Sequence, residues 1–258
     1  MNATLMVPRV CALLLVCVLS ACASVTPPAG GAPSAAAAID PWENWNRKVF
    51  AFNDAIDTAV LKPVATVWRD AVPGLVRQGV SNFFGNIGDV WSSANQFLQG
   101  KLGNGLEMGM RVMSNTFFGL AGVLDPATEF GLNKRPEDFG QTLAVWGVGN
   151  GPFVMLPLFG PSTLRDSFAL PLDSYASSGN TYINDWNAYI LTPLQLVQLR
   201  SELLDTTKLL DQVALDKYSF VRDAFLARRL DQIYDGAPPL AKFEDEPADE
   251  PAKPAPKK

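Results

Sequence analysis

Apolar residues along this chain recur at intervals of three and four, rarely two. Trp42, Trp45, Val49, Phe52, Ile56 and Ala59 mark one face of a helix, the spacing of an amphipathic element with a single apolar stripe. Asp40-Pro41-Trp42-Glu43 predicts its start, with Asp40 as cap, Pro41 in the first position and Glu43 closing a capping-box-like pair. Pro63 begins a short second helix that ends before Pro73. A third runs from about Gly74 to Phe84, and Asp89 caps a fourth carrying Val90, Trp91, Ala94, Phe97 and Leu98. Leu106, Met110, Met113, Phe117 and Leu120 stay in register through a fifth, from Gly103 to Leu124. Ser162 caps a brief helix through Asp166, Thr192-Pro193 opens a longer one reaching Leu210, and Asp216 opens the last, which stops at Gly236. The expected fold class is all-α, a single domain of amphipathic helices over 40–236.

One stretch does not fit this pattern. Phe139 to Leu164, FGQTLAVWGVGNGPFVMLPLFGPSTL, runs 26 residues without a charge. A helix of about 20 apolar residues crosses a bilayer. Yet Gly140, Gly147, Gly149, Gly151 and Gly160, with Pro152, Pro157 and Pro161, forbid one straight helix, since interior Gly and Pro cost roughly 1 and 3 kcal/mol each. Irregular backbone at membrane depth is tolerated only when buried in protein or lining a wet cavity. The stretch therefore reads as a Gly/Pro-broken re-entrant element. The low charge extends further: 139–199 holds only Arg165, Asp166, Asp173 and Asp185, with Trp146, Tyr175, Tyr182, Trp186 and Tyr189 in the same zone. That composition suits a membrane–water interface.

The ends say where such a chain goes. Arg9 precedes an apolar run from Val10 to Leu19, a secretory signal over 1–21 that is too short for a membrane span. Leu19-Ser20-Ala21-Cys22 resembles the bacterial lipobox, so Cys22 is the expected lipid-attachment residue. Cys11 and Cys17 lie inside the signal, which leaves Cys22 as the one thiol of the mature chain and no internal disulfide. Each buried acyl methylene contributes about 0.8 kcal/mol, and several chains, palmitate among them, make a durable anchor. Ala23 and Ser24 follow without an Asp, which by analogy with lipoprotein sorting favours the outer membrane. Residues 22–39 are rich in Ala, Pro and Gly and read as a flexible tether spanning on the order of 20 to 25 Å. Residues 237–258 mix Pro with charge and read as disordered.

Catalytic chemistry is poorly represented. The chain has no His, which removes the commonest general base and metal ligand. Gly160-Pro161-Ser162 lacks the frame of a nucleophile elbow, and Gly147-Val148-Gly149-Asn150-Gly151 lacks the spacing of a dinucleotide fingerprint. Glu129, Glu137 and Asp138 are the residual candidates for a carboxylate pair. No catalytic residue, metal ligand or cofactor is assigned. A pI near 4.8 and the absence of a basic stripe exclude a nucleic-acid binder.

Several segments taken together resemble the MlaA family of outer-membrane lipoproteins, also called VacJ. Asp40-Pro41-Trp42-Glu43, Asn46-Arg47, Phe50, Phe52-Asn53 and Asp57 match its opening pattern, followed by Leu61-Lys62-Pro63-Val64-Ala65. Asn82 to Ile87, Asn95 to Gly100, Arg111 and Asn115-Thr116 continue it. Asp138 to Leu143 then leads through Gly147-Val148-Gly149, Gly151-Pro152, Leu156-Pro157 and Gly160-Pro161-Ser162 to Leu164-Arg165-Asp166. Phe153 stands where the family pattern has Tyr, and beyond about Asp173 the likeness fades.

The resemblance implies a ring-like helical domain embedded in the periplasmic leaflet of the outer membrane of a Gram-negative bacterium, surrounding an amphipathic channel. It implies retrograde phospholipid transport from the outer leaflet toward a soluble periplasmic carrier protein, association with a trimeric porin, and no enzymatic role. The alternative is a porin-associated structural or assembly lipoprotein that moves no lipid. On the transport reading, Trp91, Phe97, Phe117, Phe118, Trp146, Phe153 and Phe159 are assigned to the lipid-facing or interfacial surface. Gly149, Asn150 and Gly151 are assigned to the channel loop.

Overall fold

A computed structural model describes residues 39–177 and 185–239, with only the backbone of 185–189. Cys22, the signal, the tether before 39, Tyr182, the side chains of Trp186 and Tyr189, and the tail beyond 239 lie outside the described residues. The chain divides into two units, Met1–Ala37 and Ala38–Lys258, and all that follows concerns the second.

Helix α1 (Glu43–Ile56) runs through a π-helical turn, Asp57–Leu61, directly into α2 (Lys62–Ala71). Pro63 explains that turn. A proline inside a helix has no N–H to donate and collides with the carbonyl four residues back, and a π-bulge is one way to absorb the misfit. Pro63 therefore sits at the start of α2, which ends before Pro73 as expected but continues from α1 without a break. Asp40 is not a cap: Trp42 holds the N-cap position without a side-chain bond, and Asp40 is buried as an acceptor for Asn46 Nδ2 at 2.8 Å.

The third and fourth expected helices are one. Helix α3 (Gly74–Leu98) runs unbroken for 25 residues. Asp89 lies in its interior, 3 % exposed, between Arg111 at 3.6 Å and Lys134 at 3.5 Å. The ion pairs come from distant elements, so spacing alone could not distinguish a cap from a buried carboxylate. Helix α4 (Leu102–Phe117) packs back along α3 and stops earlier than its apolar stripe. Leu120, Ala121 and Gly122 all take positive φ, and the Gly122 N–H donates to the Asn115 carbonyl at 2.8 Å. Such a left-handed exit closes helices but is uncommon for residues with a Cβ.

A short α5 (Pro126–Glu129) is capped by Asp125, and α6 (Phe139–Val145) by Asp138, whose Oδ1 accepts the Gln141 N–H at 2.8 Å. The uncharged stretch then holds two strands that period-two alternation does not reveal. Strand β1 (Phe153–Leu156) pairs antiparallel with β2 (Gly160–Thr163), with Phe153 opposite Thr163 and Leu156 opposite Gly160. Four-residue strands are too short to declare a period. Ser162 lies in β2. Helix α7 (Leu164–Ser177) is longer than expected and carries Pro171 inside it. Helix α8 (Asp185–Glu202) is already running before Pro193. Helices α9 (Leu204–Val213) and α10 (Lys217–Ile233) finish the described fold. Asp216 caps α10 as expected, accepting the Tyr218 N–H at 3.1 Å, and Gly236 ends it with φ +83°.

The protein is thus mostly helical with one two-stranded sheet among the described residues. Packing closes a circuit: α1 lies on β1, β1 on α7, α7 on α3, α3 on α8 and α8 on α2, which continues into α1. Among the described residues no helix is long and apolar enough to cross a membrane.

Candidate functional site

Burial in this fold is inverted relative to an ordinary water-soluble domain. Among the described residues, 19 polar or charged side chains are buried against 12 apolar ones. Large apolar side chains instead crowd the surface. Scattered exposed apolar residues are normal in any protein, whereas contiguous ones mark an interaction surface. Here one helix and its exit loop expose Leu106, Met110, Met113, Phe117, Phe118 and Leu120.

One buried polar cluster adjoins the uncharged stretch. Arg229, from α10, reaches two carboxylates at once. Its Nη2 donates to Asp138 Oδ1 at 2.6 Å, and its Nε to Asp166 Oδ2 at 2.8 Å. Bidentate guanidinium–carboxylate pairs are strong and directional. Burial pushes the Asp138 carboxyl up, but Arg229 and the Gln141 N–H outweigh it and hold the group below the usual carboxylate range. Gly140 makes the approach possible, because a Cβ there would collide with Arg229 Nη2 and Asp166 Oδ1. Asp166 Oδ1 also accepts Arg165 Nη2 at 2.8 Å, and Arg165 Nη1 donates to Asn150 Oδ1 at 2.6 Å. A chain of charge-assisted bonds therefore runs from the last helix to the glycine loop.

Beside it lies a second group. Glu137 is 6 % exposed and accepts from Gln99 Nε2 at 2.9 Å, Gln96 Nε2 at 3.3 Å and Lys101 Nζ at 3.2 Å. Burial raises its pKa. Thr142 Oγ1 donates to Asn95 Oδ1 at 2.8 Å. Glu137 and Asp138, both considered for catalysis, are committed to these structural pairs. Among the described residues no group of side chains could hold a metal ion.

The assigned lipid-facing residues separate into three groups. Phe97, Phe117, Phe118, Trp146 and Phe159 are exposed. Trp91 is half-buried, and its indole N–H donates to Asp173 Oδ1 at 2.7 Å. Phe153 is a correction: it is 0 % exposed, and its ring sits edge-on to Tyr218 and Phe225, each at 6.2 Å. The reason is the strand. Asn46 reads its backbone, donating to the Phe153 carbonyl at 3.1 Å and accepting the Met155 N–H at 2.9 Å. That grip turns both Phe153 and Met155 into the small apolar core with Val49 and Tyr218.

The assigned loop residues are adjacent but not equivalent. Gly149 faces open space, and a Cβ added there would meet no atom within 4 Å. Asn150 is tied down by Arg165. Gly151 has φ +65°, and a Cβ there would lie 3.0 Å from Leu164 Cβ. Residues outside the family motifs do much of the fastening. Tyr218 donates its hydroxyl to Asp40 Oδ2, Arg200 pairs with Asp57 at 2.6 Å, and Arg229 makes the double clamp. Their polar partners lie about 60 to 180 residues away in the chain, and no local pattern marks them.

The chain is similar to known proteins in sequence and in overall fold. The family model described as MlaA lipoprotein matches residues 38–232. The intermembrane phospholipid transport system lipoprotein MlaA of Escherichia coli K12 is 36% identical over 197 residues, 73% of this chain and 76% of that protein. Its Haemophilus influenzae counterpart is 29% identical over 202 residues, covering 76% and 80% of the two chains. A solved structure from work on the structural basis for maintenance of bacterial outer membrane lipid asymmetry superposes with a TM-score of 0.65 at 35% identity. It covers 77% of this chain and 99% of that one.

Proposed function

Because this chain belongs to the MlaA lipoprotein family, we propose that it is the outer-membrane lipoprotein of an intermembrane phospholipid transport system. It gives phospholipid in the outer leaflet a route inward and so maintains lipid asymmetry. The observation that carries this reading is the inverted burial, with polar side chains inside and apolar ones outside. A phospholipid leaving the outer leaflet must move a charged headgroup past hydrocarbon. Without compensating partners, polar groups there cost several kcal/mol. A closed circuit of helices with a polar interior lowers that cost, and the apolar exterior holds it at leaflet depth with no spanning helix among the described residues.

The finer parts of the reading belong to the same proposal. Cys22 carries the acyl anchor, 22–39 is the tether, 40–236 the transport domain and 237–258 the tail. The domain sits in the periplasmic leaflet, beside a trimeric porin, and passes lipid to a soluble periplasmic carrier. Gly149, Asn150 and Gly151 border the lipid path, and the exposed aromatics Phe97, Phe117, Phe118, Trp146 and Phe159 meet acyl chains. The test is leaflet composition. A strain lacking this protein should accumulate outer-leaflet phospholipid and become detergent-sensitive. Wild-type asymmetry in that strain would instead support a structural lipoprotein that moves no lipid.

A further inference from the structure

Among the cavities lined by charged side chains, one is ringed by both lysines and carboxylates. It has a volume of about 270 Å³ and lies between the α1–π segment, the end of α8, α9 and the start of α10. Three cations and three anions line it: Lys62, Arg200 and Lys217, with Asp54, Asp57 and Asp211. These charges do not cancel pair by pair. Arg200 is committed, with Nε at 2.6 Å and Nη2 at 2.8 Å from the two oxygens of Asp57. Lys62 and Lys217 then share one carboxylate, at 3.8 Å and 2.7 Å from Asp211. Each ammonium has three donors, and both side chains are about two-fifths exposed, at 44% and 41%. Asp54 is exposed on the same wall.

We propose that this cavity is a headgroup subsite for a zwitterionic phosphodiester, with the phosphate on Lys62 and Lys217 and the ligand ammonium on Asp54. This rests on the transport reading, which it deepens by naming where the polar end of the lipid is held. Size favours a headgroup over a whole lipid, since sites that enclose complete drug-sized ligands run to about 300–1,000 Å³. Phe50, Leu203 and Val221 also line it and suit the first acyl methylenes beyond the glycerol esters. Helical geometry puts the cavity on the correct side of α2. At 3.6 residues per turn, Lys62 lies roughly 200° around the helix from Val64, and Val64 and Val67 are among the exposed apolar residues. Lipid-facing and headgroup-facing sides of α2 are then opposite. The Asp211 hydrogen bond raises the Lys217 pKa and Asp54 adds to it, so the ammonium stays charged across physiological pH.

Phosphorus-31 NMR titration of the full chain in detergent tests this. The probes are glycerophosphoethanolamine, glycerophosphoglycerol and inorganic phosphate, none of which partitions into micelles. The wild type should bind glycerophosphoethanolamine, and Lys62→Gln with Lys217→Gln should weaken it about a hundredfold, roughly tenfold for each of the two charge-assisted bonds lost. Asp54→Asn, a change at an exposed position, should weaken glycerophosphoethanolamine alone and leave glycerophosphoglycerol as it was. It keeps the test alive if the double variant unfolds. No binding by the wild type, or equal binding by the double variant, overturns the site. Equal affinity for inorganic phosphate with no effect of Asp54→Asn also overturns it, leaving a plain anion site. Failure here alongside disturbed asymmetry in the deletion strain removes only the subsite. Normal asymmetry with a positive titration removes only the transport reading.

Discussion

Phe153 and Phe159 are six residues apart in the same uncharged stretch, yet one is wholly buried and the other is 69% exposed. Phe153 belongs to a strand whose backbone is gripped by Asn46 from α1. Phe159 follows the turn at Leu158, where φ is +67°, and no comparable grip turns it inward. Asn53 holds the near side of that turn, donating to the Leu156 carbonyl at 2.9 Å and accepting the Leu158 N–H at 2.8 Å. Two asparagines on one face of α1 thus set where the stretch dives into the core and where it comes out. Apolar composition is equal on both sides, and hydrogen-bonded backbone decides which side chains meet protein.

The contrast can be broken directly. Phe153→Ala should cost about 4 kcal/mol of unfolding free energy, the usual range for a buried aromatic, measured by denaturant titration in detergent. Phe159→Ala should cost no more than about 0.5 kcal/mol, as at other surface positions. Equal costs would refute the separation.

Arg229→Met should cost about 3 kcal/mol, because it leaves Asp138 without its buried counter-ion and Asp166 with Arg165 alone. It also predicts a pH signature. Asp138 has a folded-state pKa below its unfolded value, so its contribution is present above the ordinary carboxylate pKa of about 4 and is lost as pH falls through the folded value. The acid limb of stability should therefore flatten in Arg229→Met. An unchanged limb would show that the clamp does not set it.

Smaller effects on stability carry more information on function. In a Cys22→Ser background, Phe117→Ser with Phe118→Ser should weaken vesicle flotation by at least about tenfold, since burying one such side chain is worth about 1.5–3 kcal/mol. Stability should barely move. Gly149→Val is the mildest change, within about 0.5 kcal/mol, because a side chain there meets open space. Its readout is outer-leaflet phospholipid, which should rise if the loop borders the lipid path. Valine at Gly151 is a poorer probe, because positive φ strains the backbone regardless of function.

Much of the fold could be read from the pattern of residues, within definite bounds. The helical stripes, the Asp216 cap and the Gly236 stop depend on neighbours within one or two turns, and they were legible. The continuity of α3 past Asp89, the helix through Pro193 and the early end of α4 were not. Each depends on the tertiary setting: Arg111 and Lys134 for Asp89, α2 and α3 against α8, the left-handed exit at Leu120–Gly122 for α4. The candidate site divided in the same way. Asn150 and the exposed aromatics stood out locally, whereas Arg229 and Tyr218 became visible only through partners far along the chain.

What the sequence determined by itself was a helical chain with an unusually uncharged centre, family motifs in order, and no histidine chemistry. Those properties follow from composition and short-range spacing, which are fixed before folding. Only the tertiary structure decided which apolar residues form the core and which remain outside, because a side chain's direction depends on backbone register. It also decided that the buried charges are paired: ions a few ångströms apart stabilise one another only when the fold brings them together. Phe139–Leu164 shows both limits, marked by its composition and divided by Asn46, Asn53 and Arg229.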